Sequence, residues 1–127
     1  MARKRILFIE DEKDLVRLVK VKLEESGYEV LAAHDGQEGL EKARTEKPDL
    51  IILDIMLPKM NGYEVCQLLK FDEKHWKIPI IMLTAKVEDR DKALGKETGA
   101  NEYLTKPFDI NNLLSVIGKC LKEPQNA

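Results

Sequence analysis

Polar side chains stand at the ends of four of the five short apolar runs in this sequence. Glu10 and Asp11 follow the first run, Asp54 the third and Thr84 the fourth, while Lys106 comes shortly after the fifth. A small group of carboxylates suits a divalent cation such as Mg²⁺, which prefers oxygen ligands and keeps open water positions. A metal with open positions beside a lysine and a hydroxyl indicates a site for a phosphate group.

The apolar runs alternate with charged segments of helical spacing. Because the runs are short and rich in Ile, Leu and Val, the pattern predicts five buried strands, at 6–9, 28–32, 50–53, 78–83 and 102–104. The segments between them predict helices at 12–26, 36–46, about 63–69 and 87–98, with a fifth that begins after Asp109. Gly27 is expected to end the first helix, and residues 35–38 read as a capping box for the second.

Five strand–helix pairs in 127 residues predict an α/β protein. We expect a three-layer sandwich with a parallel sheet in the flavodoxin-like order 2-1-3-4-5, because a closed (βα)₈ barrel needs about 250 residues. Ligands bind such sheets beyond the carboxyl ends of the strands, at the switch point between strands 1 and 3. Glu10, Asp11 and Asp54 would meet there, where two charges roughly 4 Å apart repel by about 4 kcal/mol at an effective dielectric of about 20. Lys106 and a divalent cation would relieve that repulsion.

Each of these residues alone has an ordinary structural explanation. An acid after a strand is often the N-cap of the next helix, and a lone lysine or threonine is often a solvated surface group. Tyr103 alone would be a half-buried aromatic side chain in a strand. The joint placement of the acids, the hydroxyl and the lysine at one sheet edge favours a site.

Composition excludes several other classes of function. The net charge of −2 gives no basic excess for binding nucleic acid through phosphate contacts. Cys66 and Cys120 lie far apart with no CxxC pair, which argues against a zinc site. The first apolar run is only four residues long, too short for a signal peptide or a membrane span, so we expect a cytoplasmic protein. His34 and His75 are predicted to lie away from the site.

One enzyme class fits part of the pattern. Aspartyl-phosphate hydrolases use a strand-terminal aspartate as nucleophile and a second acid two positions later. Here that position holds Met56, which has no acidic group for a leaving group or a water. The sequence offers a phosphate acceptor without an evident general acid.

Four segments together resemble the receiver domain of two-component response regulators, which has the CheY-like fold. These segments are residues 6–12, 54–62, 83–85 and 99–108. The resemblance covers about residues 4–122, so we expect a single receiver domain over 1–127 with 123–127 as a tail or linker stub. It implies a signalling switch that accepts a phosphoryl group from a sensor histidine kinase or a phosphotransfer protein.

The resemblance also assigns roles to individual residues. Asp54 would be the phosphoacceptor. Asp11 and Asp54 would bind Mg²⁺ directly, with the Met56 carbonyl as a third ligand, Glu10 acting through water and Mn²⁺ as a substitute ion. Thr84, Lys106 and the backbone amides of Met56 and Ala85 would contact the phosphoryl group.

The implied switch couples this site to a protein-binding face. Thr84 would move toward the phosphoryl group and Tyr103 would turn inward, which reshapes the face of the fourth helix, fifth strand and fifth helix. The family also implies a cis peptide between Lys106 and Pro107, in agreement with the near confinement of cis bonds to X-Pro pairs.

The resemblance implies a regulator that turns over no external product, although it has autophosphatase activity. Met56 and Lys86 stand where the family controls access of water, and their bulk predicts slow dephosphorylation. The downstream partner would be a protein target or a missing output domain, with no direct contact to nucleic acid or membrane. Two alternatives stay open: a metal-dependent aspartyl-phosphate hydrolase and a receiver-like binding module that needs no phosphorylation.

Overall fold

Five parallel strands form one sheet in the computed structural model, which describes residues 3–85 and 99–122. The strands are β1 (Arg5–Ile9), β2 (Glu29–Ala33), β3 (Leu50–Asp54), β4 (Ile80–Thr84) and β5 (Glu102–Thr105). The described helices are α1 (Lys13–Glu25), α2 (Gly36–Glu46), α3 (Gly62–Lys70) and the C-terminal helix (Ile110–Cys120). The sheet order is β2-β1-β3-β4-β5, which confirms the predicted topology. The helix predicted at 87–98 lies outside the described residues.

Alternating side chains of the central strands bury two separate cores. On one face, Leu7, Ile9, Ile51 and Leu53 pack with buried residues of α2 and α3. On the other face, Ile6, Phe8, Leu50 and Ile52 pack with α1 and the C-terminal helix. Since a strand points successive side chains to opposite faces, an unbroken apolar run requires cover on both sides. This explains the three layers.

Helix ends are stabilised by a glycine after α1 and by side-chain hydrogen bonds to backbone amides at the starts of α2 and the C-terminal helix. Gly27 follows α1 with a φ of 98°, a left-handed conformation that glycine adopts at little cost. The carboxylate of Asp35 accepts the amide of Glu38 at 2.8 Å, and that of Asp109 accepts the amide of Asn111 at 2.8 Å. The predicted capping box at 35–38 is only half formed, because Glu38 accepts the amide of His34.

The observed strand bounds differ from the predicted ones by one or two residues. The clearest difference is β4, which begins at Ile80 although the apolar run begins at Ile78. The amide of Ile78 donates to the carbonyl of His75 and so belongs to the preceding turn. Pro79 has no amide hydrogen for a ladder bond, so regular pairing starts after it.

Candidate functional site

The carboxyl ends of β1, β3, β4 and β5 bring the predicted site residues to one edge of the sheet. Glu10 directly follows β1, Asp54 ends β3 and Thr84 ends β4. The parallel register places Ile9 beside Leu53, Asp54 beside Leu83, and Thr84 beside Thr105. Neighbouring strand ends therefore sit side by side, as the sequence predicted.

Three carboxylates form a compact group at this edge. Oxygen atoms of Glu10, Asp11 and Asp54 all lie within 4.8 Å of one another. Glu10 and Asp54 are buried, with only 1% and 6% of their surface exposed, whereas Asp11 is exposed to solvent. Two buried negative charges this close need a cation, and all three residues offer the hard oxygen ligands that Mg²⁺ prefers. The donor set therefore fits the predicted metal.

Lys106 reaches the two buried acids. Its Nζ donates to Glu10 Oε1 at 2.6 Å and to Asp54 Oδ2 at 3.0 Å. The lysine follows β5 and precedes a cis peptide bond to Pro107, the geometry that the family resemblance implied. Burial lowers the pKa of Lys106, but the hydrogen bonds to Glu10 and Asp54 outweigh it, so the pKa stands above its ordinary value. The lysine therefore stays protonated at neutral pH.

Glu10 is the acid most affected by its surroundings. Burial raises its pKa, the hydrogen bond from Lys106 lowers it, and the charge of Asp54 raises it again, with a net pKa of about 7. Its second oxygen accepts the backbone amide of Glu12 at 3.2 Å. Both carboxylate oxygens of Glu10 thus already have donors within the protein.

The backbone of the β3–α3 loop turns toward Asp54. The amide of Met56 donates to Asp54 Oδ1 at 3.3 Å, while 75% of the Met56 residue surface is exposed. Gly62 supports this loop: a Cβ there would collide with the carbonyl oxygen of Asp54, and the Gly62 amide donates to Ile55. We did not predict this positioning role, although an Asn-Gly pair after a proline is a typical turn signal.

The other predicted residues lie around this centre. Thr84 is fully buried, and its carbonyl accepts the amide of Lys106 at 2.7 Å. Ala85 follows it and is exposed. Tyr103 lies in β5 beside Met82 and packs half-buried against the core that α2 and α3 cover. These residues therefore share one corner of the sheet.

One histidine lies closer to the site than the sequence indicated. The ring nitrogen Nδ1 of His34 is 3.2 Å from the carbonyl oxygen of Glu10. His34 follows β2, the neighbour of β1, but its sequence context carries no pattern that separates this position from an ordinary turn. His75 is remote from the acids and pairs with Asp72 at 2.7 Å.

Comparison with known proteins decides the family. A model of the response regulator receiver domain matches residues 6–118 of the chain. The chain belongs to this family. As a receiver domain of two-component response regulators it serves as a phosphorylation-activated switch, and this assignment disfavours the hydrolase alternative. None of the helices in the described part of the chain is long and apolar enough to cross a membrane.

Named relatives agree with the assignment. The alkaline phosphatase synthesis transcriptional regulatory protein PhoP of Bacillus subtilis is 55% identical over 124 residues, which are 98% of this chain and 51% of that protein. The chain therefore spans about half the length of the curated relatives it matches. These relatives are regulators and not classical enzymes.

Two solved receiver structures contain magnesium. The receiver domain of the Pseudomonas aeruginosa sensor kinase PA1611, with a magnesium ion in its active-site cleft, has a TM-score of 0.87 and 29% identity, and the match covers 96% of this chain and 100% of that one. The response regulator TrrA of Thermotoga maritima, in complex with Mg²⁺ and BeF, has a TM-score of 0.82 and 36% identity, with coverage of 92% and 98%. These two receiver domains bind Mg²⁺, and this chain has a group of three carboxylates that offers the oxygen ligands this ion prefers.

Proposed function

We propose that Asp54 accepts a phosphoryl group from the phosphohistidine of a sensor histidine kinase or a phosphotransfer protein. The observation that carries this proposal is the contact of Lys106 with both Glu10 and Asp54 at the edge where three carboxylates meet. A carboxylate oxygen of Asp54 attacks phosphorus, a new P–O bond forms and the P–N bond of the donor breaks. The leaving imidazole keeps the electron pair of that bond and takes up a proton.

Mg²⁺ would be held by Asp11 and Asp54 directly, by the Met56 carbonyl, and by Glu10 through water. The existing bonds of both Glu10 oxygens to Lys106 and Glu12 support an indirect role for that residue. When bound, the ion supplies positive charge next to the phosphoryl oxygens. Mn²⁺ favours the same oxygen ligands and would replace it.

The protein groups around Asp54 would bind the phosphoryl oxygens. Lys106 carries a charge that is present at neutral pH and would move from the carboxylates toward the new group. The amide of Met56 already points at Asp54, and that of Ala85 would lie on the opposite side. The hydroxyl of Thr84 would donate the remaining hydrogen bond. Donors placed in advance need little rearrangement during transfer.

Phosphorylation would be transmitted through β5. It adds about two negative charges at the site, so that the Thr84 hydroxyl is drawn in and Tyr103 follows into the space it leaves. Lys106 directly follows β5 and Tyr103 lies within it, so a movement of Lys106 at the site would reach Tyr103 through a few residues of the same strand. The face of β5, the C-terminal helix and the predicted helix at 87–98 would then change its shape for a partner.

Return to the resting state would occur by slow hydrolysis of the acyl phosphate within the domain. Met56 is largely exposed beside Asp54 and would restrict the approach of water. Lys86, the second residue expected to do so, lies outside the described residues. We propose no turnover of an external product.

The partners of the whole protein follow from the family. We propose that residues 4–122 are the core of a single cytoplasmic receiver domain, which controls a protein target or an output domain such as a winged-helix DNA-binding domain. The similarity to PhoP, which is named as a transcriptional regulator and is twice as long, supports the second form.

Intact mass spectrometry after incubation with acetyl phosphate tests the acceptor. We expect one added phosphoryl group that requires Mg²⁺ and is absent in Asp54→Asn. Asp14→Asn removes an exposed acid elsewhere, which pairs with Arg17 on the same helix, and should keep the adduct. If acetyl phosphate gives no adduct and beryllofluoride leaves Trp76 and tyrosine fluorescence unchanged, phosphorylation is rejected and the binding-module alternative is favoured.

A further inference from the structure

A second half-buried lysine lies at the opposite edge of the sheet. Lys70 ends α3, and its Nζ donates to the carbonyls of Trp76 at 3.0 Å and Ile78 at 2.8 Å, and to Asn101 Oδ1 at 3.0 Å. All three partners are neutral. Burial lowers the pKa of Lys70 below its ordinary value. The fold therefore holds a partly desolvated positive charge without a counter-charge among the described residues.

This lysine lines a basic cavity of about 470 Å³. The other lining residues are Trp76, Lys77, Gly99, Asn101 and Lys122. No carboxylate of the described residues lies within 4.0 Å of any of the three ammonium groups. Lys77 instead stands over the Trp76 ring, 5.5 Å from its centroid. The volume is in the range that small-molecule sites occupy.

The cavity is separate from the phosphorylation site. Asn101 bonds to Ile80, the first residue of β4, whereas Thr84 at the other end of that strand borders Asp54. The five residues of β4 place the two edges roughly 13 Å apart. A ligand in this cavity would touch none of the site carboxylates.

We propose that this cavity is a binding site for a multivalent anion that carries phosphate or carboxylate groups. Lys77 and Lys122 are exposed, and within the described residues their ammonium groups have no hydrogen-bond acceptor, so they can make charge-assisted hydrogen bonds to a ligand. Lys70 would contribute only its positive charge, because its three N–H groups already donate to Trp76, Ile78 and Asn101. The Trp76 ring forms an apolar wall. Two or three negative charges match the three lysines, and a singly charged ion would leave part of the positive charge unopposed.

The site would also bear on the segment that carries the switch tyrosine. Asn101 is joined to β4 by its backbone and its side chain, and it stands two residues before Tyr103. Gly99 packs on the stem of Lys70. An anion that draws Lys70, Lys77 and Lys122 together would tighten the start of β5 against α3 and β4.

Trp76 gives a direct measurement, because it is the single tryptophan of the chain. Citrate and inorganic pyrophosphate are titrated separately into the full chain in Mg²⁺-free buffer at constant ionic strength. We expect a saturable fluorescence change with half-saturation in the millimolar range or below, and no comparable change with sodium chloride. A response to citrate alone would show that the site selects carboxylate groups, and a response to pyrophosphate alone would show that it selects phosphate groups.

The double substitution K77Q/K122Q should weaken binding at least tenfold, measured by isothermal titration calorimetry since Lys77 contacts the reporter ring. K4Q/K20Q changes net charge equally at two exposed lysines, one just before β1 and one on α1, and should bind as the unmodified chain does. Equal weakening in both pairs would mean general screening and overturn the proposal, as would no saturable response in the unmodified chain.

The chain's own acids provide a competing occupant. Glu97 and Glu123 are near Gly99 and Lys122 in sequence and lie outside the described residues. A response that appears only in E97Q/E123Q would mean that one of these carboxylates fills the cavity. The occupant of the cavity would then be a carboxylate of the chain itself and not an external anion, which would overturn the proposal.

Discussion

Two half-buried lysines stand at opposite edges of the same sheet and experience opposite electrostatic environments. Lys106 donates to the carboxylates of Glu10 and Asp54, and its pKa is raised although burial alone would lower it. Lys70 donates to two carbonyls and an amide oxygen, and burial keeps its pKa low. The sign of the shift is decided by the charge of the neighbours, because burial disfavours both ammonium groups.

The difference separates two uses of a buried cation. At the acidic edge, Lys106 contacts two carboxylates that, under the proposed function, would also take part in metal binding and phosphoryl transfer, so these contacts would be exchanged during the reaction. At the basic edge, Lys70 ties the end of α3 to the turn before β4 and to the start of β5. Its contacts are to backbone and amide groups that no proposed reaction displaces. Under the proposed function the first lysine would take part in the reaction, whereas the second ties structural elements together.

The largest expected effect concerns the lysine at the acidic edge. Lys106→Met should slow phosphorylation by acetyl phosphate by about 10²–10³-fold, because one preorganised charged donor is lost. The rate of adduct formation is followed by intact mass. Lys119→Met removes an exposed lysine on the C-terminal helix and should leave the rate within about threefold. Similar rates in both variants would show that Lys106 does not bind the transferred group.

The next effect concerns stability at the basic edge. Lys70→Met keeps the apolar stem over Gly99 but leaves three acceptors without this donor, so the free energy of unfolding should fall by about 1–3 kcal/mol. Urea denaturation measures it, with Lys119→Met as the surface control. A variant as stable as the unmodified chain would show that the burial cost of the ammonium cancels its three hydrogen bonds.

Magnesium affinity should depend on pH through Glu10. Its pKa of about 7 lies above the ordinary 4.5, so between these values the folded protein carries a proton that the unfolded chain has lost. The group therefore stabilises the metal-free fold most at low pH, and this contribution is lost as pH rises through about 7. Mg²⁺ needs the carboxylate, so its affinity should fall up to about tenfold per pH unit below 7.

Titration of metal binding between pH 5.5 and 8 at about 0.15 M salt gives this slope. Glu10→Gln carries no titratable proton there and should flatten it. An equal slope in the variant would assign the proton to another group.

The smallest expected effect comes from a substitution that gives Lys70 a charged partner like those of Lys106. Asn101→Asp replaces a neutral acceptor of Lys70 with a carboxylate of the same shape, so the pair resembles that of Lys106. We expect about 1 kcal/mol of added stability at pH 7, lost as pH falls and the new carboxyl is protonated. Urea denaturation at pH 7 and pH 3.5 checks this. The same substitution should weaken citrate binding, and tighter binding would contradict the anion site.

Much of the fold could be predicted because its patterns are local. The apolar runs of β1 and β3, the caps at Asp35 and Asp109, and Gly27 after α1 each appear within a few residues of sequence. The β4 boundary was wrong by two residues, since a turn bond of Ile78 competes with strand pairing. That bond depends on the conformation of the turn before β4, which the run of apolar residues does not indicate.

The sequence by itself determined the strand order and the identity of the residues at the acidic edge. Parallel strands carry their carboxyl ends to one side, so a polar residue after each strand must arrive there. Only the tertiary structure decided how these residues pair: that Lys106 contacts both acids, that Glu10 is buried while Asp11 is exposed, and that His34 reaches the Glu10 carbonyl.

The basic edge was not foreseen at all, because Lys70, Lys77 and Lys122 are spread over more than fifty positions and each resembles a surface lysine. Burial and charge pairing are properties of side chains that meet across the sheet. They depend on distances between elements, and no local spacing in the chain specifies those distances.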